Sequence, residues 1–120
     1  MHKNCPIEIL KKLSNDEDSG VRSSVVHNDK TSPEILEKLS DDSNADIRVD
    51  VAINNKTSPK TLVKLSTDTD ERVVKWVGSN PNTPTETLVK LSESPIKDIR
   101  AYVAWNESTP TETLVKLSED

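Results

Sequence analysis

The sequence is short of several residue types, and each shortage excludes a class of protein. It contains one cysteine, two glycines and no phenylalanine among 120 residues. With Cys5 alone, the chain can form neither an internal disulfide nor a cysteine-rich metal or iron–sulfur site. Two isolated glycines cannot build a glycine-rich phosphate-binding loop. We therefore expect no bound cofactor and no metal.

Long apolar runs are also missing. No stretch of 18 apolar residues exists, which predicts that no segment crosses a membrane. The first residues lack the apolar core of a secretory signal peptide, so we expect a cytoplasmic protein without a membrane partner. The formal net charge is −5, and affinity for phosphate backbones comes from lysine and arginine, so we expect no nucleic-acid partner.

What the chain does contain is one pattern of 26 residues that recurs five times without insertion or deletion. A fixed period of this length is typical of a supersecondary unit stacked on copies of itself. The period divides residues 5–120 into a single domain of about four and a half repeats, 5–30, 31–56, 57–82, 83–108 and a half repeat at 109–120. The clearest columns are Leu10, Leu36, Leu62, Leu88 and Leu114, then Asn28, Asn54, Asn80 and Asn106.

Each repeat carries signals for two short helices, as residues 83–108 illustrate. Thr83, followed by Pro84 and Glu86, forms a capping-box pattern and predicts the start of a first helix, here called helix A, with the threonine as its cap. Two leucines three residues apart define the apolar face of this helix. Residues 99–106 predict a second helix, here called helix B, with apolar residues at four-residue spacing.

Two columns predict how helix B ends and packs. An asparagine closes each B segment, and because asparagine tolerates a left-handed backbone, we expect it to stop the helix and turn the chain. Positions 26, 52, 78 and 104 hold Val, Ala, Gly and Ala, which predicts a close approach between neighbouring helices. In the first copy Cys5 takes the place of the capping threonine, which predicts a poorly capped first helix.

Two segments carry a family resemblance, IRAYVAWN at 99–106 and NPNTP at 80–84. They resemble the signature of the leucine-rich repeat variant family, a relative in shape of HEAT repeats, and the likeness covers essentially the whole chain. The resemblance implies an all-α, right-handed superhelical solenoid of two helical layers, one layer α and the other often 3₁₀. It implies no general activity. One departure is Val74, which stands where the family has arginine.

The large aromatic residues are the main functional clue. Trp76, Tyr102 and Trp105 all lie in helix B, outside its apolar columns. Their columns vary from histidine to tryptophan, whereas a packed core demands a fixed volume. They therefore predict an exposed partner-binding patch, since exposed Trp and Tyr are typical binding anchors. The alternative is that the rings lie flat over the thin helical layers.

The repeat pattern and the lack of a catalytic set predict a protein-interaction module that is not an enzyme and binds a protein partner through the helix B face. The alternative is a HEAT-like protein that uses its groove for a small molecule or assists an enzyme. His27 and Asp50 are the only polar candidates for that role. The arginines at the start of helix B are expected to form structural ion pairs with nearby aspartates, and the recurring lysines a solvated face.

The last copy of the pattern looks like an interior one. Residues 109–118 are identical to residues 83–92, so no polar cap is evident. We expect Leu114 and Leu117 to be partly exposed in consequence. Either the chain is a piece of a longer array, or another molecule covers this edge. We expect weak end-to-end self-association.

Overall fold

The computed structural model describes residues 6–119, in which the regular structure is nine α-helices and no strand; Cys5, with its predicted weak cap, lies outside this range. Five helices correspond to helix A: α1 Pro6–Leu13, α3 Pro33–Leu39, α5 Pro59–Leu65, α7 Thr85–Leu91 and α9 Thr111–Ser118. Four correspond to helix B: α2 Ser19–His27, α4 Ala45–Ile53, α6 Glu71–Ser79 and α8 Lys97–Trp105. The all-α expectation is confirmed.

Both kinds of helix have α geometry, so the 3₁₀ layer that the family resemblance implies is not found in residues 6–119. Each B helix has nine residues. That length allows regular i→i−4 hydrogen bonding, whereas 3₁₀ segments rarely exceed about four residues. An aspartate or asparagine caps the first three B helices by accepting a hydrogen bond from the N–H two residues on.

The A helices begin in two ways. Ser32 and Ser58 cap α3 and α5, each accepting a hydrogen bond from the N–H three residues on, with proline at the first helical position. The predicted cap of α7 is wrong. This helix begins at Thr85, Pro84 occupies the capping position, and the helix has no side-chain cap. Thr83 lies one residue too early to cap it.

A threonine recurs in the link between each helix B and the next helix A, and it joins this link to the end of the preceding helix B. Its hydroxyl donates a hydrogen bond to the carbonyl six residues earlier, and all four threonines are buried. A buried hydroxyl that found no acceptor would cost about 1–3 kcal/mol. The donors and acceptors are Thr57 and Val51, Thr83 and Val77, and Thr109 and Val103, each pair at 2.6 Å, and Thr31 and Val25.

The B helices end at the predicted asparagines, but without the expected left-handed turn. Asn28, Asn54, Asn80 and Asn106 have extended backbones, with φ between −76° and −65°. No residue of the described range has a positive φ. The Oδ1 atom instead accepts a hydrogen bond from the N–H two residues on, at 2.8–2.9 Å, and this local bond turns the chain.

The amide nitrogen of the same column joins each repeat to the one before it. This Nδ2 donates to the carbonyl 28 residues earlier, and in Asn80 and Asn106 it also reaches the carbonyl of the preceding asparagine, at 3.0 and 2.9 Å. Both side chains are buried. The inter-repeat bonds join Asn54 to Val26 at 2.9 Å, Asn80 to Ala52 at 2.8 Å and Asn106 to Gly78 at 2.9 Å.

The B helices pack directly on one another, α2 on α4, α4 on α6 and α6 on α8, and the A helices pack on the B helices next to them in the chain. The predicted close approach is confirmed at Gly78. A Cβ atom there would lie 3.3 Å from Cγ2 and 3.6 Å from the backbone nitrogen of Val103. This packing is consistent with a helical repeat, and the described structure measures 59 × 24 × 16 Å.

The leucine columns form the core. Leu36, Leu62 and Leu88 are fully buried, and Leu10 is 6% exposed. Leu114 is 37% exposed, and Leu117 is only partly buried. The partial exposure expected for the last copy of the pattern is therefore confirmed.

Candidate partner-binding site

The packing of α6 on α8 brings two of the predicted aromatic residues into contact. Trp76 and Tyr102 occupy the same position in successive B helices. Their ring centroids are 5.2 Å apart, with an angle of 84° between the ring planes. Such edge-to-face pairs contribute about 0.5–1.5 kcal/mol beyond the area they bury. The contact restrains both rings, so a ligand that binds beside them would meet a preorganised surface.

The three rings differ in exposure, so each of the two predicted arrangements describes part of the group. Trp76 is half-buried and packs against the core, as in the flat-lying alternative. Tyr102 is also half-buried. Trp105 is 85% exposed, as in the predicted patch. Together with Ser79, Tyr102 and Trp105 line an open depression of about 380 Å³.

Lys75 adds a positive charge that the sequence did not point to. Its Nζ atom lies 5.2 Å from the ring centroid of Tyr102 and 5.8 Å from that of Trp76. Cation–π contacts of this kind contribute about 0.5–1 kcal/mol at exposed sites. No carboxylate of the described residues pairs with this lysine. The sequence did not indicate the contact between Lys75 and the aromatic rings. Lys75 and Trp76 are adjacent in the chain, and adjacent side chains on a helix do not share a face.

A second polar cluster lies on α2 and α4. His27 Nε2 is 3.4 Å from Asp50 Oδ2, and Ser23 Oγ donates to the same oxygen at 3.2 Å. These are the residue types of a catalytic triad, but a triad requires the histidine to lie between the serine and the carboxylate. Here the carboxylate lies in the middle, so nothing removes a proton from the serine. The cluster holds two helices together and does not form a nucleophile.

The arginines form the predicted structural ion pairs, with the aspartate of the next link as partner. Arg22 donates to Asp42 through Nε at 2.7 Å and through Nη2 at 3.1 Å, and Arg48 donates to Asp68 in the same way at 2.8 and 3.3 Å. Burial raises the pKa of Asp42, but hydrogen bonds from Arg22 and from the Asn44 N–H outweigh it, and the net pKa is lowered. These paired groups are not available to a ligand.

The third repeat replaces this ion pair by apolar packing. Val74 stands in the arginine column and is buried, and Ser94 stands where the other pairs have aspartate. A partly buried charge without a partner would be destabilising. Because the arginine and the aspartate are both replaced, no such charge remains. Arg72 lies outside this column and pairs with Asp70 and Asp46, each at 2.9 Å.

The recurring lysines reach back to the preceding repeat. Lys64 Nζ lies 3.1 Å from Asp41 Oδ2, and Lys116 Nζ lies 3.7 Å from Glu93 Oε2. These groups are largely exposed, and such surface pairs contribute about 0–1 kcal/mol. The lysines therefore form a solvated face, as expected.

The remaining observations leave the aromatic residues as the candidate site. Within residues 6–119, no group of three His, Cys, Asp or Glu side chains could hold a metal ion. No helix in the part of the chain that the structure describes is long and apolar enough to span a membrane. The sequence matches no family model, and no curated protein matches it. We call the group formed by Lys75, Trp76, Ser79, Tyr102 and Trp105 the aromatic site.

Proposed function

We propose that the chain is a protein-interaction module of the leucine-rich repeat variant type that acts in the cytoplasm and is not an enzyme. In this proposal it is a right-handed solenoid of 26-residue repeats that binds a protein partner through its B helices. One observation carries the proposal: Trp105 is 85% exposed. A solvent-exposed tryptophan is typical of a binding surface, because tryptophan is one of the residues that contribute most of the binding free energy at protein interfaces.

The column of Trp105 supports this assignment. Its equivalents are exposed or half-buried in every repeat, and Ile53, one of them, is 46% exposed. The column therefore faces solvent in each of the four B helices, so the exposure of Trp105 does not result only from its place in the last B helix, α8. The acidic net charge of −5 argues for protein and against nucleic acid as the partner.

The chemistry of the aromatic site fits an extended segment that carries an apolar side chain beside an acidic one. The apolar side chain would enter the depression between Tyr102 and Trp105. The acidic side chain would pair with Lys75, whose ammonium group lies over the rings of Trp76 and Tyr102 without a carboxylate partner in the described range.

A small-molecule site is the second candidate, and the depression of about 380 Å³ beside Trp105 is the observation that favours it. Small-molecule sites usually combine an enclosed apolar pocket with a few convergent polar groups. Here the depression is open, and Ser79 is the one short polar side chain that lines it. We therefore favour a protein partner.

The test compares Trp105→Ala with Ile53→Ala. The two residues occupy the same column, but Ile53 lies on α4, outside the aromatic site. Peptides are selected from a displayed random library on the unmodified chain, and their affinities are measured by calorimetry. We expect Trp105→Ala to weaken binding by about tenfold or more, as for an interface anchor, and Ile53→Ala to leave it unchanged.

Selected peptides should contain an acidic residue close to an apolar one, and Lys75→Gln should weaken their binding too. A library that gives no binder, or binders that ignore Trp105→Ala, would show that the aromatic site does not recognise peptides. Preferential binding of small aromatic acids would favour the second candidate.

A further inference from the structure

The aromatic site is part of a larger surface on the B helices. Two columns of residues form this surface, and they lie side by side because positions three residues apart on a helix share a face. Both columns are exposed or half-buried in all four B helices. We call this surface the B face; its columns are Ser24, Asp50, Trp76 and Tyr102, and His27, Ile53, Ser79 and Trp105.

Asp50 is the one acidic residue in the two columns of the B face. Its side chain is 25% exposed, and its Oδ2 atom accepts a hydrogen bond from Ser23 and lies 3.4 Å from Nε2 of His27. Its Oδ1 atom has no partner among the described residues, and no lysine or arginine of that range pairs with the carboxylate. A serine and a neutral histidine do not compensate a negative charge. The carboxylate is therefore able to pair with a basic group of a ligand.

The other aspartates of the B helices are less suited to a basic ligand group. Asp46 pairs with Arg72 at 2.9 Å. Asp98 is exposed and lies in the first turn of α8, where the helix dipole already stabilises a negative charge. Salt also screens an exposed charge more than a partly buried one such as that of Asp50.

Groups of opposite charge follow one another along the B face. Asp50 lies on α4, and Lys75 lies on α6, with its Nζ atom over the aromatic rings. The depression beside Trp105 comes next, at α8. A negative group, a positive group and an apolar depression therefore occur in this order on three helices that pack on one another in succession.

We propose that Asp50 is a second subsite for the partner of the aromatic site and binds a lysine or arginine side chain. This inference rests on the proposed function. It makes the partner an extended segment in which an acidic residue lies between a basic residue and an apolar one. The charges of this segment are the reverse of those on the B face, in the same order.

The geometry also sets the spacing within the segment. Packed helices are about 8–10 Å apart, and an extended chain advances about 3.3 Å per residue. Lys75 Nζ lies near one ring on α6 and one ring on α8, so it is more than one helix spacing from α4. The basic and acidic residues of the segment should therefore be about three to five positions apart.

Peptides selected on the unmodified chain provide the first test. A basic residue should recur on the side of the acidic residue that is away from the apolar one, in either backbone direction. Its replacement by glutamine should weaken binding about tenfold in calorimetry, because a partly desolvated charge pair is lost. The same replacement should have little effect on binding to Asp50→Asn, which lacks the charge but keeps an oxygen that can accept from Ser23. Equal effects on the two chains would overturn the proposal.

Two matched variants separate Asp50 from negative charge in general. Asp98→Asn removes the same charge from α8, one turn before Tyr102, and Glu86→Gln removes one from an A helix, α7. Both should leave the effect of the peptide's basic residue unchanged, and so should Ile53→Ala, which keeps the carboxylate of Asp50. If Asp98→Asn abolishes that effect and Asp50→Asn does not, the basic residue binds at α8 and the proposal is overturned.

Charge reversal provides a measurement that a purely structural role of Asp50 would not change. Asp50→Lys should prefer, by about tenfold, peptides in which glutamate replaces the basic residue. Asp50→Asn keeps the shape of the side chain, so the test does not depend on whether the lysine fits. Peptides that require Trp105 but bind both Asp50 variants unchanged would overturn this inference and leave the proposed function intact. Peptides whose binding ignores Trp105→Ala would overturn both.

Discussion

The asparagine column shows how one short side chain can perform two structural tasks at once. The Oδ1 atom accepts a local N–H and turns the chain, while the Nδ2 atom donates to the neighbouring repeat. In Asn80 the oxygen accepts from the Asn82 N–H at 2.9 Å and the nitrogen donates to Ala52 at 2.8 Å. Aspartate could perform the first task, because it only accepts hydrogen bonds when ionised, but not the second.

Asn80→Asp and Asn28→Asp therefore make a matched pair. Asn80 is 2% exposed and its amide binds two carbonyls, so the substitution would place a buried carboxylate against them. We expect a loss of about 2–3 kcal/mol in the free energy of unfolding, measured in urea at low protein concentration. Asn28 is exposed and its amide has no acceptor in the described range, so its substitution should change stability by less than about 0.5 kcal/mol. Equal losses at the two positions would show that the inter-repeat bond does not contribute.

The two kinds of helix show which features a sequence can predict. The apolar columns, the small residue at Gly78 and the places where the helices lie follow from periodicity, because burial repeats wherever the pattern repeats. The prediction that Thr83 caps α7 is wrong because a capping box is a local pattern. That pattern does not reveal that the hydroxyl is 2.6 Å from the Val77 carbonyl behind it. The hydrogen bonds of the asparagine amide and the contact between Lys75 and Tyr102 join different repeats, so spacing within one repeat could not predict them.

Helix A leucines should differ in their contribution according to their place in the stack. Leu65 in α5 is 2% exposed and has a repeat on each side, whereas Leu117 in α9 is only half-buried. We expect Leu65→Ala to lower the free energy of unfolding by about 2–4 kcal/mol, because it leaves a cavity that its neighbours cannot fill. Leu117→Ala should cost about 1 kcal/mol or less, because water already reaches that position. Equal shifts of the urea midpoint would contradict packing by successive layers.

The chain as a whole has contacts that are mostly between neighbouring helices, so its stability should vary along its length. In such a structure each layer depends on the layers beside it, and the end layers have one neighbour only. The central helix α6 contributes four buried residues, Val73, Val74, Val77 and Gly78, whereas α9 contributes Thr113 alone. Local stability should therefore be highest at the centre of the helix stack and lowest at its two ends.

Native-state hydrogen exchange measures this variation directly. At low protein concentration we expect the backbone amides of α4 and α6 to be the most protected and those of α1 and α9 the least, because end layers open without disturbing the centre. Uniform protection along the chain would contradict this expectation and show that the helices open together.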